Sequence, residues 1–208
     1  MGADGCRKED RDSELERMMG AIESVATPIF QSVEDALFVS FLLGALPVRG
    51  GATQLQRMIE QAMREAGRFS GPEPGRISFG GLSPLEVRGQ CAMVVACVKD
   101  RLPAHEAAAI HARFGYQIDK AAGVRGVVGY AGALLSIGHP DARLAMGWAV
   151  FGTERQRKDF NAAAIGREWG VPAKTAARDI ATIKQTSRRL LDAAVDRIYG
   201  AFRESGVC

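Results

Sequence analysis

Three groups of residues are fitted by type and spacing to do chemistry. The first is His105, Glu106 and His111, in the run HEAAAIH. A glutamate beside the first of two histidines four residues apart would put two metal ligands and a general base on one helix face. Here the histidines are six apart, and solvation on a helix surface accounts for both. The second group is Cys91 and Cys97 with the same histidines, ligand types that zinc takes. Six residues of helix turn about 600°, a net of about 240°, so neither pair shares a face. The glycines from 123 to 132 carry no GK[ST] and so make no phosphate loop. The sequence therefore predicts no enzyme: no catalytic residue, no metal and no cofactor.

The third group is basic. Lys174, Thr175 and Arg178 stand close together, with Arg167 before them and Lys184, Arg188 and Arg189 after. Arginine or lysine bidentate to guanine is the commonest specific base contact, and cations on phosphates make binding salt-dependent. Between residues 173 and 190 five cations oppose one acid, Asp179. The whole chain carries only +3. Nucleic-acid binding is therefore argued from where the charge lies, not from its total.

These side chains need a rigid frame, and the stretch NAAAIGREWGVPAKTAARDIATIKQTSRRLL, residues 161–191, has the form of a helix-turn-helix. Residues 162–169 make a short helix. Gly170 takes the turn position that needs positive φ. Val171 plugs the space between the helices, and Pro172 fits the first turn of the next, where its missing N–H is no loss. Gly166 is a small residue where the helices cross, bracketed on the buried side by Ile165 and Trp169. Lys174, Thr175 and Arg178 then lie at the N-terminal end that enters a major groove in such motifs. Two features depart from the usual pattern. Pro172 replaces a capping Ser or Thr, at about 1 kcal/mol. Gly166 replaces the commoner Ala, at about 1 kcal/mol in propensity.

The rest of the chain reads as an all-α fold: a helical core with the helix-turn-helix and a long C-terminal helix. The chain has 208 residues, 47% apolar and 25% charged, ordinary for a globular protein. Residues 1–10 are expected to be disordered, and 11–68 to form N-terminal helices. Within the latter, 12–24 makes a short helix and Ser32 caps a nearly all-apolar helix over 33–45, the mark of a central core element. Thr53 is expected to cap a helix over 54–66. Residues 69–81, rich in Gly and Pro, form a loop with a possible extended piece at 75–79. Residues 82–152 form a central helical core. It opens on the start signal Ser83-Pro84-Leu85-Glu86 and contains Gly123, Gly126, Gly129 and Gly132, spaced for close helix packing. Asp141 is expected to cap a helix ending at Phe151. In the final unit, 153–208, residues 152–159 read as a polar connector. The stripe Ala176, Ile180, Ile183, Ser187, Leu190, Ala194, Ile198 and Phe202 predicts one helix from about 173 to 205. Packing on the chain's own core is the first expectation for that stripe, and a two-chain coil the second. The longest apolar run, 36–48, is too short to span a bilayer. The opening MGADGCRKEDRDSELER has no apolar signal core, so a chain with reduced thiols in a cytoplasm is expected.

Two pieces resemble the last region of bacterial sigma factors. The run LPAHEAAAIHARFG, residues 102–115, is similar to its opening LPxxExxVLxLRFG, and the helix-turn-helix resembles its close. About 45 residues separate the halves here, where sigma factors have few, and the aromatic-rich promoter-melting segment is missing. A closer resemblance, at motif level over roughly residues 30–205, is to phage late-gene antitermination proteins of the Q type. The run LSPLEVRGQCAMV, residues 82–94, is similar to their SPxEvRAQCAMV helix, followed as there by LPxxExxxIxARFG and by AIGREWGV. The cysteine-rich zinc motif of some members is lacking, which leaves the zinc-free branch.

The resemblance implies a factor that binds double-stranded DNA beside a late promoter. It loads onto RNA polymerase holoenzyme, with its sigma subunit, at a promoter-proximal pause and carries it through terminators. The DNA contacts would fall to Arg167, Lys174, Thr175, Arg178, Lys184, Arg188 and Arg189. An operator-binding regulator is the alternative, and a packaging adaptor such as a small terminase subunit a third. Some 150 residues of helical core beyond the motif favour the polymerase-engaging factor. Whether one copy or two act together is left open.

Overall fold

The computed structural model describes residues 29–30, 32–46, 52–65 and 81–207. The expected disorder at 1–10, the helix at 12–24 and the loop at 69–80 with its extended piece lie outside them. The described residues are mostly helical, with no strand among them. The helices are α1 Val33–Ala45, α2 Ala52–Glu65, α3 Pro84–Arg101, α4 Ala104–Phe114, α5 Gln117–Ala131, α6 Pro140–Phe151, α7 Glu154–Asp159, α8 Ala162–Trp169 and α9 Ala173–Glu204. A 3-10 turn, Gly132–Leu134, follows α5.

Local signals set most of the boundaries. Ser32 caps α1 by accepting from Asp35 N at 3.1 Å. Ser83 and Glu86 form a reciprocal capping box at the start of α3. The hydrogen bonds from Ser83 hold the Glu86 carboxyl below its ordinary pKa. Three expected boundaries are corrected. Helix α2 begins at Ala52, so Thr53 lies inside it and is not its cap. His139 is the N-cap of α6, with Pro140 at its first position; Asp141 therefore sits in the first turn, favourable there through the helix dipole. Residues 154–159 are not a connector but α7, started by a Thr153/Gln156 capping box.

Two hydrophobic cores share the long helix α9. The first gathers α1, α2, α3 and, through Ile110 and Phe114, one side of α4 against the C-terminal half of α9, with Leu37, Leu55, Ile59, Val98, Ile198 and Phe202 at 2% exposure or less. Helix α1 is buried on nearly every side, as its composition requires. Each such side chain contributes about 1.5–3 kcal/mol relative to exposure. The second core gathers α4, α5, α6 and α8 against the N-terminal half of α9, around Val124, Met146, Ile165, Ala176 and Ile183. Half-buried Leu191 packs against both. The α9 stripe is thus buried within the chain itself.

Helices α4 and α5 pack closely because two glycines let them. A Cβ on Gly123 would lie 2.3 Å from Ala112 N, and one on Gly126 would lie 2.6 Å from Ala108 Cβ. Gly129 meets nothing within 4 Å. Three residues turn about 300°, so each successive glycine steps back about 60° and the third has left the interface.

Candidate nucleic-acid interface

Helix α8 starts where Asn161 Oδ1 accepts from Ala163 N and Ala164 N, both at 3.0 Å. It ends at Gly170, which has φ 64 and ψ 27, a left-handed conformation that glycine adopts without strain. Val171 N then donates to Gly166 O at 3.1 Å and closes the turn. A Cβ on Gly166 would lie 2.8 Å from Val171 O and 3.3 Å from Ala173 N. The small residue is therefore required by the chain's own backbone, not merely tolerated. Ile165 is buried, while Trp169 and Val171 are half-buried. Pro172 is the N-cap of α9 and not its first helical residue. It makes no side-chain cap, and its carbonyl accepts from Thr175 N and Ala176 N.

On α9, Lys174, Arg178, Lys184, Arg188 and Arg189 are exposed, Thr175 is half-buried, and Arg167 is exposed on α8. The one acid among them, Asp179, is 1% exposed. Its carboxylate accepts from Ile137 N at 2.9 Å. From 174 to 189 the solvent face of α9 therefore carries cations and no acid. Helix α9 does not group the five cations on one line. With Arg178 as origin and about 100° per residue, Arg189 lies at about 20°, Lys174 at about −40°, Arg188 at about −80° and Lys184 at about −120°. Lys174, Arg178 and Arg189 thus form one ridge. Lys184 and Arg188 turn to its flank, where they line a cleft of about 390 Å³ with Arg113 and Arg157, edged by Glu34 and Asp192.

Sequence reasoning missed the segment beside the ridge. Arg178 Nη2 donates to Ser136 Oγ at 2.9 Å, and Arg143 Nε donates to the carbonyl of Ile137. The extended stretch between the 3-10 turn and α6 is thus held against α9 through Ile137 N–H and Ser136, and against α6 through Ile137 C=O. It lies 42 residues from its partners Arg178 and Asp179, and no local pattern marks it.

The residues weighed for catalysis have structural surroundings. His105 stacks on Tyr130 with ring centroids 4.8 Å apart. His111 meets Phe41 edge-on at 5.1 Å. Glu106, 4% exposed, accepts from Arg197 Nε at 2.9 Å and Nη2 at 3.0 Å. That bidentate pair joins α4 to α9. Burial pushes the thiol pKa of Cys91 up. Among the described residues no three His, Cys, Asp or Glu side chains gather as a metal site, and no helix is long and apolar enough to cross a membrane. Compared with protein-family models and with curated proteins, the sequence matches none.

Proposed function

We propose that the chain binds double-stranded DNA through α8 and α9 and acts as a transcription antitermination factor. In this reading Lys174, Thr175 and Arg178 face base edges in a major groove. Arg167 and Arg189, and from the flank Lys184 and Arg188, meet phosphates. The role is binding, with no catalytic step, and the second partner is RNA polymerase holoenzyme paused near a promoter. Arg178 suits the reading role, because Ser136 holds one of its donors and sets the guanidinium in place. A guanidinium has five N–H donors in a fixed fork.

One observation carries the reading. The LPxxExxxIxARFG helix, α4, and the helix-turn-helix are some 45 residues apart in sequence. Ala109 and Ala112 of α4 nevertheless share a core with Ile165, Ala176, Ile183 and Leu190. The two pieces that resemble one transcription-factor region are packed as one unit, with α5, α6 and α7 inserted between them.

The test is transcription in vitro from the chain's own upstream promoter region through a terminator, with host holoenzyme. Read-through is expected only with both protein and cognate promoter. The Arg178→Ala variant should bind that DNA more than tenfold less tightly with unchanged helix content. Altered initiation with unaltered termination would replace the proposal with an operator-binding regulator. An unchanged footprint from Arg178→Ala would remove the recognition-helix assignment.

A further inference from the structure

A second cavity, of about 530 Å³, opens between the end of α4, the start of α5, α6 and α7. Four aromatic residues line it, Phe38, Phe114, Tyr116 and Trp148, in a chain that is only 7% aromatic. The cations Arg113 and Lys120 line it too, and no acid does. Its backbone at Gly115 and Gln117 is closely constrained. A Cβ on Gly115 would lie 2.4 Å from His111 O, so only glycine fits. Gln117 follows at φ 43, a left-handed conformation uncommon outside glycine. Strain of this kind persists where surrounding structure imposes it, and it concentrates at ligand sites. Burial, with Arg113 nearby, lowers the pKa of Lys120. An anion placed between the two would offset that unfavourable environment.

Arg113 also lines the cleft of Arg157, Lys184 and Arg188, where these four cations outnumber the two acids Glu34 and Asp192. An aromatic cavity alone would suit a planar apolar ligand, and a cationic cleft alone a bare anion. Joined at Arg113, they suit a ligand that has a planar ring at one end and negative charge at the other. The geometry points to a nucleotide site, with the base in the aromatic cavity and its phosphates on Arg113 and the cations of the adjoining cleft. Base–aromatic contact tolerates any base, because every base has a π-face. The nucleotide can be free or part of a single strand, since the recognised chemistry is the same. The site shares Lys184 and Arg188 with the proposed duplex contact but not Lys174, Thr175 or Arg178, so Arg113→Gln tests this site and Arg178→Ala tests the duplex reading.

The test is a binding titration of the full chain by calorimetry. A parallel fluorescence titration uses a Trp169→Phe variant, in which Trp148 is the sole tryptophan of the two. The probes are adenosine triphosphate, adenosine, inorganic triphosphate and a single-stranded tetranucleotide. The expected result is saturable quenching of Trp148, with the nucleotide bound at least tenfold more tightly than adenosine or inorganic triphosphate. Arg113→Gln should weaken it at least tenfold without moving the unfolding midpoint, since Arg113 is exposed. Arg155→Gln, exposed on the same α7 but lining neither cavity, should leave it unchanged. A tetranucleotide bound more tightly than the triphosphate assigns the site to a strand, and the reverse assigns it to a free nucleotide. No saturable binding at millimolar concentration would overturn the proposal. So would equal affinity for inorganic triphosphate, or an Arg113→Gln variant that binds normally. Calorimetry on the unmodified chain decides the matter if Trp169→Phe does not fold.

Discussion

Replacing Gly166 with alanine sets two effects of similar size against each other. Alanine in a helix interior gains about 1 kcal/mol over glycine in propensity. The added Cβ would lie 2.8 Å from Val171 O, inside contact distance of a backbone atom that the turn fixes by its own hydrogen bond to Gly166. Inserting a methyl into a well-packed site costs about 1–3 kcal/mol, and here no flexible side chain can yield. The loss should win. Gly166→Ala is expected to lower stability by about 1 kcal/mol net, read as a shift in the denaturant midpoint at unchanged slope. A stabilised variant would show that the turn can open without cost. The sequence marked this residue as the crossing point but valued alanine there as the better choice. Only the position of the Val171 carbonyl reverses that judgement.

Elements were legible where a short-range rule sets them. Ser83 and Glu86, Asn161, and Gly170 place helix ends by hydrogen bonds or backbone freedom within three residues, and the expected ends stand. Helix α7 was hidden because its six residues, ERQRKD, are all polar and carry no apolar period; only Thr153 and Gln156 mark it. The segment at 135–137 was hidden for a different reason. Its partners Arg178 and Asp179 are distant in sequence, and Asp179 looked like one acid in a basic solvent face. Buried at 1% exposure, it instead satisfies the N–H of Ile137. Asp179→Ala would leave that buried donor unpaired, a penalty of about 1–3 kcal/mol. The expected outcome is a loss of that size, with the Ile137 amide exchanging its hydrogen faster than its neighbours in α6. Asp179→Asn keeps an acceptor and should lose less. Unchanged exchange at Ile137 in the alanine variant would show that the segment is held by Arg143 and Arg178 alone.

At the scale of the whole molecule, α9, with the shorter α4 beside it, makes two cores into one body. Its 32 residues span about 48 Å at 1.5 Å per residue. Ile183 and Leu190 lie in one core and Ala194 and Ile198 in the other. The apolar stripe announced this continuity, but periodicity alone could not say whether it faces this chain or a second copy; the buried partners from α1 to α8 decide it. Because α9 crosses the boundary, and α4 gives Ile110 and Phe114 to the first core and Ala109 and Ala112 to the second, unfolding of either core must fray the other. Far-ultraviolet dichroism, which reports all helices, and tryptophan fluorescence are therefore expected to follow the same denaturation curve. Trp148 and Trp169 both pack against the second core, so the fluorescence reports mainly that core. Ala193 is exposed and lies between Leu190 and Ala194, which face different cores. Proline there removes one helical hydrogen bond and clashes with the preceding turn, about 3 kcal/mol or more, without touching a core side chain. Ala193→Pro should separate the two curves, with helix signal lost before tryptophan signal as the first core melts alone. Ala193→Gly, costing about 1 kcal/mol, should lower both curves together. Coincident curves in the proline variant would mean that the cores are coupled through other contacts, with the bidentate Arg197–Glu106 pair between α9 and α4 the first to remove.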